Sequence, residues 1–329
     1  MASRATFTSA LPAFRRGGDA EQPAGRLGDR MLLVMCGLAA ALAAAILVGV
    51  AYQLVINANP SISQFGLGFL GHTTWSPNFK VFGAGAIIYG TVVSSLFALV
   101  LATPLGIAIG LYLSMMAPPA VRAVVGPLVE MLAAIPSIIL GFWGFLVLAP
   151  FMSKHIEPFL HSAFGFIPLF GPPQTTGLSL FTAGVILALM VLPIIAALSR
   201  DLFLTVPREL KDGAAALGAT RWEVIRGIVL PTTASGVAAA TVLGLGRALG
   251  EAIAVSLVAG ELTQIHTSLF RPGATLASLI ANQFPSTANK AHVAALFYLA
   301  VVLLVIGVLA SLTARAIAGR FDVQQGLAK

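Results

Sequence analysis

Long apolar runs, separated by short polar segments rich in proline and glycine, dominate this 329-residue chain. Six of them, at about 31–57, 85–113, 123–149, 176–199, 233–260 and 293–318, reach the roughly 20 residues a helix needs to cross a bilayer. None alternates with period two, and lipid leaves no other way to satisfy the backbone of such runs, so the pattern predicts helices. The expected fold is an all-α membrane protein with six transmembrane helices over 31–320. A polar, flexible tail is expected over 1–30 and a short one over 321–329. Residues 58–84, 150–175 and 262–292 read as outer loops whose aromatic rings sit at the interface and offer a platform for an external partner.

Composition agrees: 58% of residues are hydrophobic and only 9% charged. Basic residues gather on one side of these spans, at Arg4, Arg15, Arg16, Arg26 and Arg30, across 200–231, and at Arg122, Arg315, Arg320 and Lys329. The other side holds Lys80, Lys154, Arg271 and Lys290, so both termini are expected in the cytoplasm. The net charge of +7 then follows from topology and contact with acidic lipid, without a nucleic-acid partner. One cysteine, Cys36, excludes an intramolecular disulfide, and the five histidines show no metal-ligand spacing, so no metal site is expected.

Candidate chemistry lies where the apolar pattern is broken. Arg247 and Glu251 stand four residues apart near the middle of the fifth run, and ionisable groups at that depth mark either a structural ion pair or a solute route. Pro104, Pro136 and Pro193 are expected to bend or break their helices. Gly106-x-x-x-Gly110 and Gly246-x-x-x-Gly250 are expected to permit close helix approach, the second placing Arg247 inside the bundle. Glu130, at the end of a span, is expected to meet water or a nearby arginine. Gly66-x-Gly68-x-x-Gly71 has the letters of a dinucleotide fingerprint but no βαβ context, and no phosphate loop occurs, so energy must come from a gradient or a partner.

The 200–231 loop divides around Gly218. Thr205 is expected to cap a first short helix, with Leu210, Ala214 and Leu217 at helical spacing. Thr220-x-x-Glu223 is a capping box opening a second, and Pro231 is expected to end it. Such a helix-turn-helix suits either a lipid surface or a docking partner.

Asp212-Gly213-Ala214-x-x-x-Gly218-x₉-Ile228-x-Leu230-Pro231 resembles the EAA loop of type I ABC-importer permeases, with Asp212 and Gly213 replacing the usual Glu and Ala. FLGHTTWSPN, ATPLGIAIGLYLS, LAAIPSIILGFWGF and LGLGRALGEAIAV extend the likeness over about 69–316, and are similar to the PstC permeases of phosphate-specific importers. The resemblance implies a non-catalytic permease subunit of the bacterial inner membrane, without cofactors. Its implied partners are a second, PstA-like permease, two PstB-like ATPases and an external PstS-like phosphate-binding protein. It further implies that Asp212, Gly213, Ala214, Gly218, Ile228, Leu230 and Pro231 couple to the ATPase, and that Arg247 and Glu251 line the phosphate path. A permease for molybdate or sulfate, or a gradient-driven anion carrier, remains the alternative.

Overall fold

The computed structural model describes residues 23–287 and 289–326. Among these, the β-pairings are isolated bridges, Ser76 with Val81 and Gly260 with Gly273, and all other regular structure is helical. Six helices are long and apolar enough to cross a membrane: Gly28–Phe65, Gly85–Met116, Ser137–Phe164, Leu180–Thr205, Arg221–Gly250 and Lys290–Thr313, here the first to sixth spans. The chain divides into an N-terminal unit ending at Val50 and a body beginning at Ala51. In the N-terminal unit the helix exposes apolar side chains such as Leu33 and Leu47, a girth suited to lipid.

Several boundaries depart from the sequence expectation. Of the tail expected over 1–30, residues 1–22 lie outside the described residues, and helix already begins at Pro23. The tail expected over 321–329 is helical as far as Gly326, with 327–329 outside the described residues. The first span runs on through Pro60 to Phe65, because Ala58 and Ser61 are buried in the body and hold the helix past the proline.

The largest change concerns the third span, expected over 123–149. Pro136 stops the helix Pro119–Ala133 and caps the next, since the residue before a proline is driven out of the helical region. Helix then continues to Phe164 through residues expected as loop, with wide turns at Gly144–Leu148 and Met152–Ile156 absorbing Pro150 between them. Pro104 and Pro193, by contrast, lie inside continuous helices.

The fourth span is the hub of the body, with 72% of its most apolar window buried. It packs backbone-close against the second: a Cβ on Gly106 would lie 2.9 Å from Ile195 Cγ2, and one on Gly110 2.9 Å from the Arg200 amide nitrogen. Lipid removes most of the hydrophobic drive between helices, so such contacts hold spans together by packing of small residues. Ser179 starts the hub by accepting the Thr182 amide, and the buried Glu157 receives the Ser179 hydroxyl at 3.2 Å and the Gln174 amide at 3.2 Å. Sequence reading passed over Glu157, which sits in the expected outer loop among Lys154, His155 and His161 with no spacing signal.

At one end of the body, Phe69, Trp75, Phe82 and Tyr298 form an aromatic cluster. Gln283 Oε1 takes hydrogen bonds from Trp75 Nε1 at 2.9 Å and His292 Nε2 at 2.8 Å, joining three chain segments. Segment 66–84, part of the outer loop expected over 58–84, is therefore fixed on the body.

Candidate functional site

The fifth span begins at Arg221, twelve residues before the expected 233, because Pro231 does not end the preceding helix. A wide turn over Ile225–Val229, in which the Leu230 amide donates to Ile225 O, precedes the proline and supplies the irregularity its ring requires. The span ends at Gly250 and does not continue to 260. Glu251 is extended (φ −73°, ψ 114°), and a separate short helix follows over Ile253–Val258.

This break divides the candidate pair. Arg247 lies in the last turn of the span and Glu251 just beyond it, so they do not share one helical face as expected. Glu251 Oε1 accepts the Ala254 amide at 3.2 Å and caps the short helix. Arg247 is exposed, and among the described residues it has no ion pair or hydrogen-bonded side-chain partner. A cation there is compatible with the negative end of the helix dipole, but that leaves its guanidinium donors free.

Gly246 and Gly250, expected to sit against another helix and bury Arg247, face open space instead. The glycines of this span that do pack are Gly236, against Leu202, and Gly244, whose added Cβ would meet Val191 and Ile195 in the middle of the fourth span. Gly250 lies six residues further on, a rise of about 9 Å, so the break falls within the height of the hub helix.

The break is held from the far side. Ala254, Val255 and Val258 are fully buried. Cβ atoms on Gly141 and Gly144 would come within 2.9 Å of Ala254 Cα and Val258 Cγ1, so the third span clamps the short helix. Beyond it, Val258 O accepts the Ser179 amide and Ala259 O the Gly273 amide. Gly260 (φ 83°) and Glu261 (φ 53°) then turn the chain in left-handed geometry, and Glu261 Oε1 is buried without a hydrogen-bond partner. Burial raises the Glu261 carboxyl above its ordinary value. Nothing in the sequence pattern singled out Glu261.

A second candidate surface is the 205–231 segment. Its first helix is Arg208–Ala216, with Pro207 at the N-cap, while the Thr205 hydroxyl bonds back to Leu202 O and does not cap. Gly218 (φ 88°) ends it: its amide donates to Ala215 O and the Ala219 amide to Ala214 O, the paired bonds of a Schellman turn. The capping box at Thr220 and Glu223 is formed, with Glu223 Oε2 2.7 Å from the Thr220 amide.

The motif residues divide by direction. Ala214, Ile228 and Leu230 pack on a cluster centred on Phe203, Val206, Val224 and Val229. Asp212, Gly213, Gly218 and Pro231 are exposed, and Leu217, 91% exposed, projects beside them together with Leu210. Glu130, as expected, meets an arginine: Arg200 Nη2 lies 2.8 Å from it. Among the described residues no cluster of His, Cys, Asp or Glu could hold a metal ion.

Residues 102–323 match the family described as binding-protein-dependent transport system inner membrane component. The chain is 42% identical over 322 residues to the phosphate transport system permease protein PstC of Mesorhizobium japonicum, covering 96% of this chain and 98% of that one. The PstC of Pasteurella multocida is 42% identical over 286 residues, or 85% and 88% of the two chains. In fold this chain is similar to a chain of a bacterial alginate ABC transporter solved with its alginate pentasaccharide-bound periplasmic protein, at TM-score 0.57 and 18% identity, over 91% of this chain and 99% of that one. The chain therefore belongs to the binding-protein-dependent transport system inner membrane components, multi-pass permeases of ABC importers, and within them to the PstC permeases.

Proposed function

We propose that this chain is the permease subunit that passes inorganic phosphate into the cytoplasm past Arg247, driven by ATP hydrolysis on separate subunits, with no catalysis of its own. One observation carries the reading: Arg247 projects unpaired from a helix break at mid-bundle height, between two glycines that leave its face open. A guanidinium facing lipid at that depth would be costly, so this face belongs against a wet cavity shared with a second, PstA-like permease. Arginine suits the cargo because its planar fork bonds two phosphate oxygens at once and stays charged at any working pH. The names borne by the similar proteins support phosphate over molybdate or sulfate.

Both termini and the 205–231 segment are assigned to the cytoplasmic side, consistent with the basic residues there. In this reading the exposed edge formed by Leu210, Asp212, Gly213, Leu217 and Gly218 enters a groove on a PstB-like ATPase. The packed residues Ala214, Ile228 and Leu230 carry its movement into the fifth span and hence to the break. A PstS-like protein delivers phosphate at the opposite face. The test is phosphate uptake by the reconstituted complex: Arg247→Ala should abolish uptake and Arg247→Lys retain part of it, with assembly unchanged. Full uptake by an assembled Arg247→Ala complex would sink the proposal.

A further inference from the structure

Where the second span ends, a cavity of about 240 Å³ opens between that end and the flank of the 205–231 segment. Met115, Met116, Val224 and Ile225 give it an apolar floor, and Lys211 and Arg221 give it two cations. Among the described residues neither cation forms an ion pair with a carboxylate. The Lys211 ammonium spends one donor on Phe203 O at 3.3 Å, leaving two, and Arg221 keeps its whole fork. Glu223, the nearest acid along the chain to Arg221, is committed to the Thr220 cap. Burial lowers the Lys211 pKa, with Arg208 adding to the effect and the Asp212 carboxylate opposing it.

The cavity opens on a different side of the helix from most of the face assigned to the ATPase. At about 100° per residue, Lys211 and Ala215 lie about 100–160° from Leu210, Gly213 and Leu217, with Asp212 at the border between the two sides. They look towards the end of the second span, which is where a membrane-spanning helix leaves the bilayer. Trp222, largely exposed beside Arg221, has the amphipathic ring found at that level.

We infer that this cavity binds the headgroup of an acidic phospholipid, its phosphodiester between Lys211 and Arg221 and the start of its acyl chains on Met115 and Met116. Paired cations above a methionine and valine floor match an anionic amphiphile better than a fully hydrated ion, which would gain nothing from the apolar half. The bound lipid fills the gap beneath the helix Arg208–Ala216 and sets its position on the membrane surface. The inference rests on the proposed reading only in treating 205–231 as a membrane-surface segment, and it is independent of the solute carried.

The test measures lipid, not transport. The full complex is reconstituted in nanodiscs of phosphatidylcholine with or without phosphatidylglycerol, extracted gently, and weighed by native mass spectrometry. Retained phosphatidylglycerol is expected on the unaltered protein. Lys211→Gln with Arg221→Gln should reduce its occupancy about twenty-five-fold, at roughly fivefold per cation near a membrane surface. Arg208→Gln with Arg226→Gln, which removes equal charge outside the cavity, should leave it nearly unchanged. Met115→Trp keeps both cations but fills the cavity, and should also expel the lipid if the double variant fails to fold. Equal loss in the two charge pairs, or retention after Met115→Trp, overturns the inference. So does thermal protection by inorganic phosphate in pure phosphatidylcholine that depends on Lys211 and Arg221, because the site would then serve a free ion.

Discussion

Arg200 Nη2 stands 2.8 Å from Glu130 Oε1 and 2.8 Å from Asp201 Oδ1, tying the end of the hub helix to the helix Pro119–Ala133. The two sides of this tie are unequal. The Glu130 side chain is 52% exposed, and an exposed pair contributes about 0–1 kcal/mol, whereas the Arg200 side chain is 18% exposed and its guanidinium lies against Gly126. Glu130→Gln should therefore change the apparent melting temperature in detergent little, and Arg200→Ala should cost about 1–2 kcal/mol through lost packing. Equal shifts would mean that the charge, not the packed stem, holds the helices together.

The Glu251 cap makes a second expectation sharp. If the side chain works by accepting the Ala254 amide, Glu251→Gln keeps an acceptor oxygen and should retain most phosphate uptake, while Glu251→Ala should lose much of it. Loss of a cap costs about 1 kcal/mol locally, enough to loosen a six-residue helix. If instead the carboxylate neutralises Arg247 at some stage of the cycle, Gln and Ala should be equally impaired. Uptake by proteoliposomes of the two variants decides between these roles.

The coupling edge can be tested apart from the fold. Leu217 touches solvent almost entirely, so Leu217→Asp should leave expression and melting unchanged while abolishing co-purification of the ATPase subunit. Gly218→Val acts differently, because a β-branched residue is forced into left-handed geometry at φ 88° and should cost at least about 1–2 kcal/mol of local stability. It should weaken ATPase association by displacing Leu217. A Leu217→Asp complex that still assembles would remove this edge from the interface.

What the sequence revealed, and what it hid, follows from the range of each interaction. The capping box at Thr220 and the break between two short helices at Gly218 are local, written within four residues, and both were legible. The spans were legible as lengths of apolar chain, but their ends were not. Pro136 breaks a helix, Pro193 lies inside one, and Pro231 follows a wide turn that absorbs it, and nothing in the proline itself distinguishes these outcomes. Arg247 and Glu251 were found because charge in an apolar run is conspicuous. Their separation was missed because Gly250 and the clamp of Gly141 and Gly144 on Ala254 and Val258 act across the bundle, over a hundred residues away. Gly246 and Gly250 carried a packing motif and turned out to face open space, because the motif fixes the spacing of small residues and not the face they occupy.

Glu261 provides a pH test away from the arginine. Its carboxyl is raised above the ordinary value near 4.5 by burial, so the folded protein holds a proton there that the unfolded chain releases. Between 4.5 and the raised value the folded state binds more protons, and stability must fall as pH rises through that window. The contribution is most favourable below it. Glu261→Gln cannot ionise and leaves the same volume in the loop that joins Gly260 to Gly273. Melting curves in detergent, taken from about pH 4.5 towards neutrality, should show the unaltered protein losing stability relative to this variant as pH climbs, by about 1.4 kcal/mol for each unit of upward shift. Parallel curves would mean that the carboxylate reaches water or a cation in the assembled membrane protein, and that the turn at Gly260 and Glu261 opens there.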